Sequence, residues 1–376
     1  MTKPPLARDA FERTDEAGFL TQAAYLLVLG SQLRGDAPGR ASLGEIIPEK
    51  DFSALGVPAL SPAAGRIDSQ RTRLSLTARF GTSVSAAIPA GEDVTWRGDI
   101  LAELARDHFR DPTPATAGSL MEACLRHPHE LVRVAAAAAY HDRSSEPDKL
   151  TAILEQGTRS VDLLIRQLAA TALAQVTPNN TRLSDFTKSA GRAAGAAGPR
   201  AHTAMLVHGT FALGAAWWQP GGDFHSYLLQ ELRPDLYKDY DRFAWSGGYS
   251  PDARELGAGD LLTWVNNHEE QGLDLFTHSH GGNLAMLASN KGLQVGELVL
   301  LSCPVHIPKY QPDFSRVRKV VSIRVHLDLI ILADRGGQRF KHPKIEENVL
   351  PIWFDHTATH NPGVWKNSTY KIPSML

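Results

Sequence analysis

The stretch Leu273-Asp274-Leu275-Phe276-Thr277-His278-Ser279-His280-Gly281-Gly282-Asn283 decides how the second half of this chain folds. Its first residues form a short apolar run that suits a buried strand. A helical pattern begins almost at once, with Leu284, Ala285, Met286, Leu287 and Ala288. Between them lie a serine, two histidines and two glycines. The reading is strand, sharp turn, helix, with Ser279 at the apex. It departs by one residue from Gly-x-Ser-x-Gly, in which a strained turn exposes the serine hydroxyl and the next backbone N–H is placed to bind developing negative charge. Thr277 stands where the first glycine would be.

Working outward, four more strands are expected, and three of them run into residues with chemistry. Val295 to Ser302 reads as a buried strand. Lys319 to Val325 alternates and is β-branched, with Asp328 just beyond it. Val349 to Phe354 ends at Asp355-His356. Upstream, Ala204 to Val207 runs into His208-Gly209-Thr210-Phe211. The carboxyl ends of strands in an open α/β sheet are where sites form. Serine, aspartate and histidine therefore follow in order along one sheet edge. Gly209, lacking a Cβ, allows the backbone to approach a ligand closely, and the Thr210 N–H is the donor that loop would offer.

These residues, with Trp217-Trp218-Gln219-Pro220-Gly221-Gly222, Trp245-Ser246-Gly247, His356, Pro362 and Trp365, carry a resemblance. From about residue 200 onward the chain resembles the α/β-hydrolase superfamily in its lipase and serine-esterase branch, and is loosely similar to GPI inositol-deacylase-type hydrolases. The resemblance implies a mostly parallel sheet with helices on both faces. It implies a nucleophile Ser279, a general base His356 and an orienting acid Asp328, with the backbone N–H groups of Thr210 and His280 forming an oxyanion hole. The activity implied is cleavage of a small-molecule or lipid ester through an acyl-enzyme, without cofactor or metal. An acyltransferase or an amidase would use the same set, because a fold does not fix a function.

Each assignment has a plainer rival. A serine between strand and helix commonly caps the helix, and so does an aspartate such as Asp328. Asp334 competes with Asp328 for the acid, and His360 with His356 for the base. The pairs His278/His280 and His356/His360 have spacings that suit metal ligation, but no further ligand cluster completes four positions, so no metal is expected. His278 is expected beneath the turn and His280 along the pocket wall. Trp218 and Trp217 read equally well as core aromatics, and Arg254 as a brace for the loop before it.

Residues 1–176 have a different character. Leu131 to Tyr140 and Leu164 to Leu173 align on Arg133 and Arg166, each preceded by a shorter helical segment (Leu120 to Arg126; Lys149 to Glu155). Hairpins over 119–176 resemble HEAT-type repeats, which usually need three or more units to be stable. An additional helix is therefore expected at Ile100 to Phe109. Phe19 to Leu29 reads as an amphipathic core helix, too short for a membrane span and poorly suited to a signal peptide. Leu74 to Ile88 suggests a hairpin around Gly81, and 177–200 a linker into the domain at 201–376.

Composition fits two domains of α/β and helical type. The chain has 376 residues, 43% hydrophobic and 21% charged, so each half can bury its own core. A net charge of −2 gives no basis for nucleic-acid binding. Cys124 and Cys303 fall in different halves, and no disulfide is expected. No transmembrane segment is expected, and the cytoplasm is the default location. A second functional class stays open: an interaction protein that recruits a protein partner through its helices, with the sheet domain as a non-catalytic scaffold.

Overall fold

The computed structural model describes residues 3–34, 49–61, 98–187, 204–239, 241–268 and 272–376. Two compact units result, Thr2–Val176 and Thr177–Leu376. The expected hairpin at 74–88 lies outside the described residues, as does 188–200 of the expected linker. The start of that linker is structured. Thr181–Phe186 forms a 3-10 turn because Asn180 accepts from the Arg182 N–H and Leu183 is buried.

In the first unit, helices α1 (Ala7–Ala10), α2 (Glu16–Arg34), α3 (Glu49–Leu55), α4 (Gly98–Arg110), α5 (Pro114–Cys124), α6 (Glu130–Tyr140), α7 (Pro147–Gly157) and α8 (Leu163–Val176) follow one another. Helix α5 opens with a capping box, in which the side chains of Thr113 and Thr116 satisfy each other's backbone N–H groups. The pairs α5–α6 and α7–α8 repeat at an offset that carries Pro114 onto Pro147 and Arg133 onto Arg166. The two arginines do the same work. Arg133 Nη1 donates to the His127 carbonyl at 2.6 Å, and Arg166 Nη1 to the Ser160 carbonyl at 3.0 Å, each six residues back. Each guanidinium thereby closes the turn between the two helices of its hairpin. Small residues set the packing distance, since a Cβ on Gly157 would meet Ala169 Cβ and Val134 Cγ2, both at 2.8 Å.

Helix α2 departs from expectation. Every residue from Thr21 to Ser31 is buried, so there is no apolar stripe with a wet opposite face. The reason is that α2 is enclosed: it packs along α6, where a Cβ on Gly30 would meet the Ala139 carbonyl at 2.7 Å. Two of its polar side chains donate to backbone carbonyls. Gln22 donates to the Ala10 carbonyl at 2.7 Å and Arg34 to the Ala139 carbonyl at 3.1 Å. Among the described residues, no helix is long and apolar enough to cross a membrane.

The second unit is α/β. Strands β1 (Ala204–Val207), β2 (Leu273–His278), β3 (Val295–Leu301), β4 (Val317–His326) and β5 (Glu346–Trp353) form one sheet in the order β1-β2-β3-β4-β5. All four pairings are parallel. Parallel neighbours require crossovers, so both faces are covered and the strands read as continuous apolar runs. Alternate residues feed two separate cores. Met205, Leu275, Leu298 and Val320 pack with Ala258 and Leu261 of helix α10 (Pro251–Asn267) and Leu284 of helix α11 (His280–Asn290). Leu206, Phe276, Val299 and Val321 pack on the opposite face with Phe224 of helix α9 (Asp223–Tyr227) and Trp365 of helix α13 (Pro362–Lys366). Helix α12 (Leu329–Ala333) follows β4 directly. Because the strands are parallel, their carboxyl ends share one edge, and His208, Ser279, Asp328 and His356 all follow strands there.

Candidate active site

Ser279 sits between β2 and α11 with φ 52° and ψ −133°. A non-glycine residue in that region carries strain of roughly 1–3 kcal/mol, sustained only where the surroundings enforce it. Here they do. The Ser279 N–H donates to the Leu301 carbonyl at 2.8 Å, and the Gly282 N–H returns to the Ser279 carbonyl at 3.0 Å. The side chain makes no capping hydrogen bond to the helix that follows. The plain capping role therefore does not account for this serine.

The substitution of threonine for the motif's first glycine has a simple explanation. Thr277 belongs to β2, paired with Val207 and Leu300, and its hydroxyl donates to the Val299 carbonyl at 2.9 Å. The strain falls on Ser279, and position 277 needs no special backbone. The glycine that matters is Gly281, where a Cβ would meet the His208 and Val207 carbonyl oxygens at 2.6 and 2.8 Å.

The His208-Gly209-Thr210 loop lies against the serine. A Cβ on Gly209 would come within 2.7 Å of Ser279 Cβ. Several groups hold the loop. Trp245 Nε1 donates to the His208 carbonyl at 2.8 Å, the Phe211 N–H to the Gly247 carbonyl at 2.9 Å, and Trp218 Nε1 to the Ala212 carbonyl at 2.9 Å. Phe211 takes a positive φ of 61° to make that turn. The His208 ring lies between Trp218 and Trp245, and burial pushes it down to about 4. It is a neutral support. The His280 N–H is the first of α11 and has no intrahelical carbonyl to reach.

Asp328 and His356 meet. His356 Nδ1 lies 2.6 Å from Asp328 Oδ2, and both side chains are buried. The two candidate roles of Asp328 are divided between its oxygens. Oδ1 accepts from the Ile330 and Ile331 N–H groups at 2.9 and 3.2 Å, capping α12, while Oδ2 holds the imidazole. Gln338 secures the Asp328 backbone on both sides, at 2.9 and 3.2 Å. With Nδ1–H given to a carboxylate, His356 keeps its lone pair on Nε2. His356 and Ser279 are not hydrogen-bonded to each other among the described residues. Their neighbourhood is joined instead by His278, whose Nε2 donates to the His356 carbonyl at 3.2 Å.

Asp334 serves elsewhere. His280 Nε2 donates to its Oδ1 at 3.0 Å, His306 Nε2 to its Oδ2 at 2.6 Å, and the Tyr249 hydroxyl to Oδ1. Burial alone would raise this carboxyl, but His280 and His306 outweigh it and hold it far below the usual carboxylate range. Burial pushes His280 down to about 4 despite the nearby carboxylate. The pair is therefore neutral imidazole donating to ionised carboxylate. The expectation that His280 lines the pocket wall is refined by this anchoring to Asp334.

Among the described residues, His360 has no acid partner. It is partly buried and packs against Trp217 and His278, at 4.2 and 4.4 Å between ring centroids, and desolvation followed by repulsion from His356 pushes it down to about 3. His278 lies under the turn, as expected, and burial drives it well below the normal histidine range. Trp218 is core, while Trp217 is only partly buried. Arg254 braces the loop before α10, with Nε donating to the Tyr310 hydroxyl at 2.9 Å and Nη1 to the Tyr249 carbonyl at 2.6 Å.

The chain matches no known protein-family model, and no curated protein matches it. Sequence reasoning named Ser279, Asp328, His356 and the His208 loop. It missed the junction of His280, His306, Asp334 and Tyr249, whose members are separated by up to 85 residues and follow no motif.

Proposed function

We propose that the unit Thr177–Leu376 is a serine hydrolase of the α/β-hydrolase kind that cleaves carboxylic esters. One observation carries the reading: Ser279 is held at a strained strand-to-helix apex with its hydroxyl uncommitted to any helix cap. The Asp328–His356 pair at 2.6 Å supports it, since that pairing sets the tautomer a general base needs. In the proposed reaction His356 Nε2 takes the Ser279 proton as the oxygen attacks the ester carbonyl. The imidazolium, steadied by Asp328, returns the proton to the leaving alcohol. The Thr210 and His280 N–H groups bind the oxyanion, each worth about 3–4 kcal/mol in comparable sites. Water repeats the sequence to release the acid. His356 must close on Ser279 when substrate binds, a tightening common between free and bound states.

The alternative of a non-catalytic scaffold draws on the open Ser279–His356 contact. Labelling with a fluorophosphonate decides between the two. Specific modification of the wild-type chain, lost in Ser279→Ala, is expected for the enzyme. Absence of labelling, together with no turnover of short or long acyl esters, would rule the enzyme out.

A further inference from the structure

The cluster of His280, His306 and Asp334 contains two imidazole nitrogens and a carboxylate whose ligating atoms all lie within 4.8 Å of one another. We propose that these three side chains form a site for a divalent transition-metal ion, zinc by preference, independent of the esterase reading. Two imidazoles and one carboxylate are a borderline donor set, which suits zinc better than calcium or magnesium. The spacing is close to what an ion needs. His280 Nε2 and His306 Nε2 stand 3.0 and 2.6 Å from opposite oxygens of one carboxylate. Ligand bonds of about 2.0–2.2 Å to zinc place neighbouring donors roughly 3.3 Å apart. An ion entering between them therefore requires adjustments of about an ångström or less at the carboxylate and a modest approach of the rings.

The surroundings support a built site. Asp334 and His280 have side chains only 3% and 4% exposed, while His306 at 27% opens one side to solvent, giving an entry path. A Cβ on Gly336 would stand 3.0 Å from Asp334 Oδ2 and 3.2 Å from His306 Nε2, so a larger residue would crowd the ligands. The Tyr249 hydroxyl already reaches Asp334 Oδ1 and fixes that oxygen. Metal binding demands a tautomer change at both rings, because His280 and His306 each donate from Nε2 to Asp334. His280 must carry its proton on Nδ1, which lies 2.9 Å from the Asn283 side-chain amide. Rotation of that amide presents its oxygen to the new N–H, a second partner of the kind that orients metal-bound histidines. Arg254 bears on His280 through its positive charge and opposes a cation, so the carboxylate is indispensable.

Three protein ligands leave a fourth position for water or a small anion. The consequence for the fold is direct, because His280 adjoins Ser279 and a bound ion would lock the first turn of α11.

The test uses the full chain, stripped with chelator and then titrated with zinc(II), and separately with cobalt(II). About one zinc per chain is expected to survive desalting. Cobalt should give the visible absorption of a four-coordinate ion, bleached by added zinc. His306→Gln, at the half-exposed position, should weaken zinc binding by more than roughly a hundredfold, beyond what loss of a merely supporting residue causes. Asp334→Asn should do the same, while His360→Ala should leave binding unchanged. Circular dichroism confirms that each variant is folded. No stoichiometric zinc on the wild-type chain, or binding undiminished in folded His306→Gln, would overturn the proposal and leave a purely hydrogen-bonded cluster. Fluorophosphonate labelling is scored separately, so failure of the metal site and of the esterase reading are distinguishable.

Discussion

Two oxygens of one carboxylate serve different masters at Asp328, and this makes its substitutions informative. In Asp328→Asn the amide oxygen can still accept from Ile330 and Ile331, because asparagine caps helices as well as aspartate does. The amide nitrogen then faces His356 Nδ1 and forces the imidazole into the wrong tautomer. Turnover of a fluorogenic ester is expected to fall about 10⁴-fold with near-wild-type stability. Asp328→Ala should lose both, with a further cost of about 1 kcal/mol from the missing cap. Ester kinetics alongside urea denaturation read the two effects, and an active Asp328→Asn enzyme would show that Asp328 is not the partner. The histidines separate in the same way. His356→Ala should lower turnover by about 10⁴-fold or more, whereas His360→Ala, which removes a ring packed on Trp217 and His278, should cost far less. Equal losses would mean that the base had been misassigned.

At the level of the element, the turn between β2 and α11 depends on how closely α11 approaches β1. Gly281→Ala places a methyl within 2.6 Å of the His208 carbonyl and 2.8 Å of Val207, both backbone atoms that cannot rotate aside. A loss of about 1–3 kcal/mol is expected, measured by chemical denaturation. Gly214→Ala, where nothing lies within 4 Å, serves as the tolerant comparison. A Gly281→Ala chain as stable as wild type would show that the approach relaxes easily. This element also shows what a sequence can and cannot reveal. The strand, serine and helix were legible because burial on both faces imposes an apolar run, and the approach of Asp328 to His356 because strand ends are countable. The motif's first glycine falls at 277, where threonine stands, whereas the steric demand sits at 281, since only the packed helix reveals which carbonyls are near. Helix α2 was misjudged for a related reason. A one-sided stripe is the norm for helices at a surface, and enclosure by the rest of its unit leaves no wet side to mark. The His280–His306–Asp334 junction was illegible because the start of α11, the segment after β3 and the end of α12 bring it together.

Across the whole molecule, the unit containing the sheet concentrates histidines, and burial lowers several of them. Eleven of the fifteen histidines lie beyond residue 200. Burial comes first among the causes that lower His208 to about 4 and His360 to about 3, and it drives His278 well below its ordinary value. Neighbouring cationic or protonatable groups oppose protonation further: Arg242 at His208, His356 at His360, and His360, His356 and His208 at His278. In the unfolded chain all three revert to about 6.5. Below that value the unfolded state binds protons that the folded state refuses, so stability is full above about pH 6.5 and declines as pH falls toward the folded values. Each group contributes a slope of up to about 1.4 kcal/mol per pH unit in that window. Six of the seven tryptophans (217, 218, 245, 264, 353 and 365) lie in this unit, so tryptophan fluorescence follows its unfolding. The urea midpoint is expected to hold steady from pH 8 to 7 and then drop continuously to pH 5. Because His280 and His225 are lowered as well, replacing one of these five, as in His360→Phe, should flatten that drop by about one fifth, since the phenyl ring keeps the contacts with Trp217 and has no proton to gain. A midpoint that does not move between pH 7 and 5 would mean that these rings reach water in the folded chain, contrary to the burial of His208 and His278.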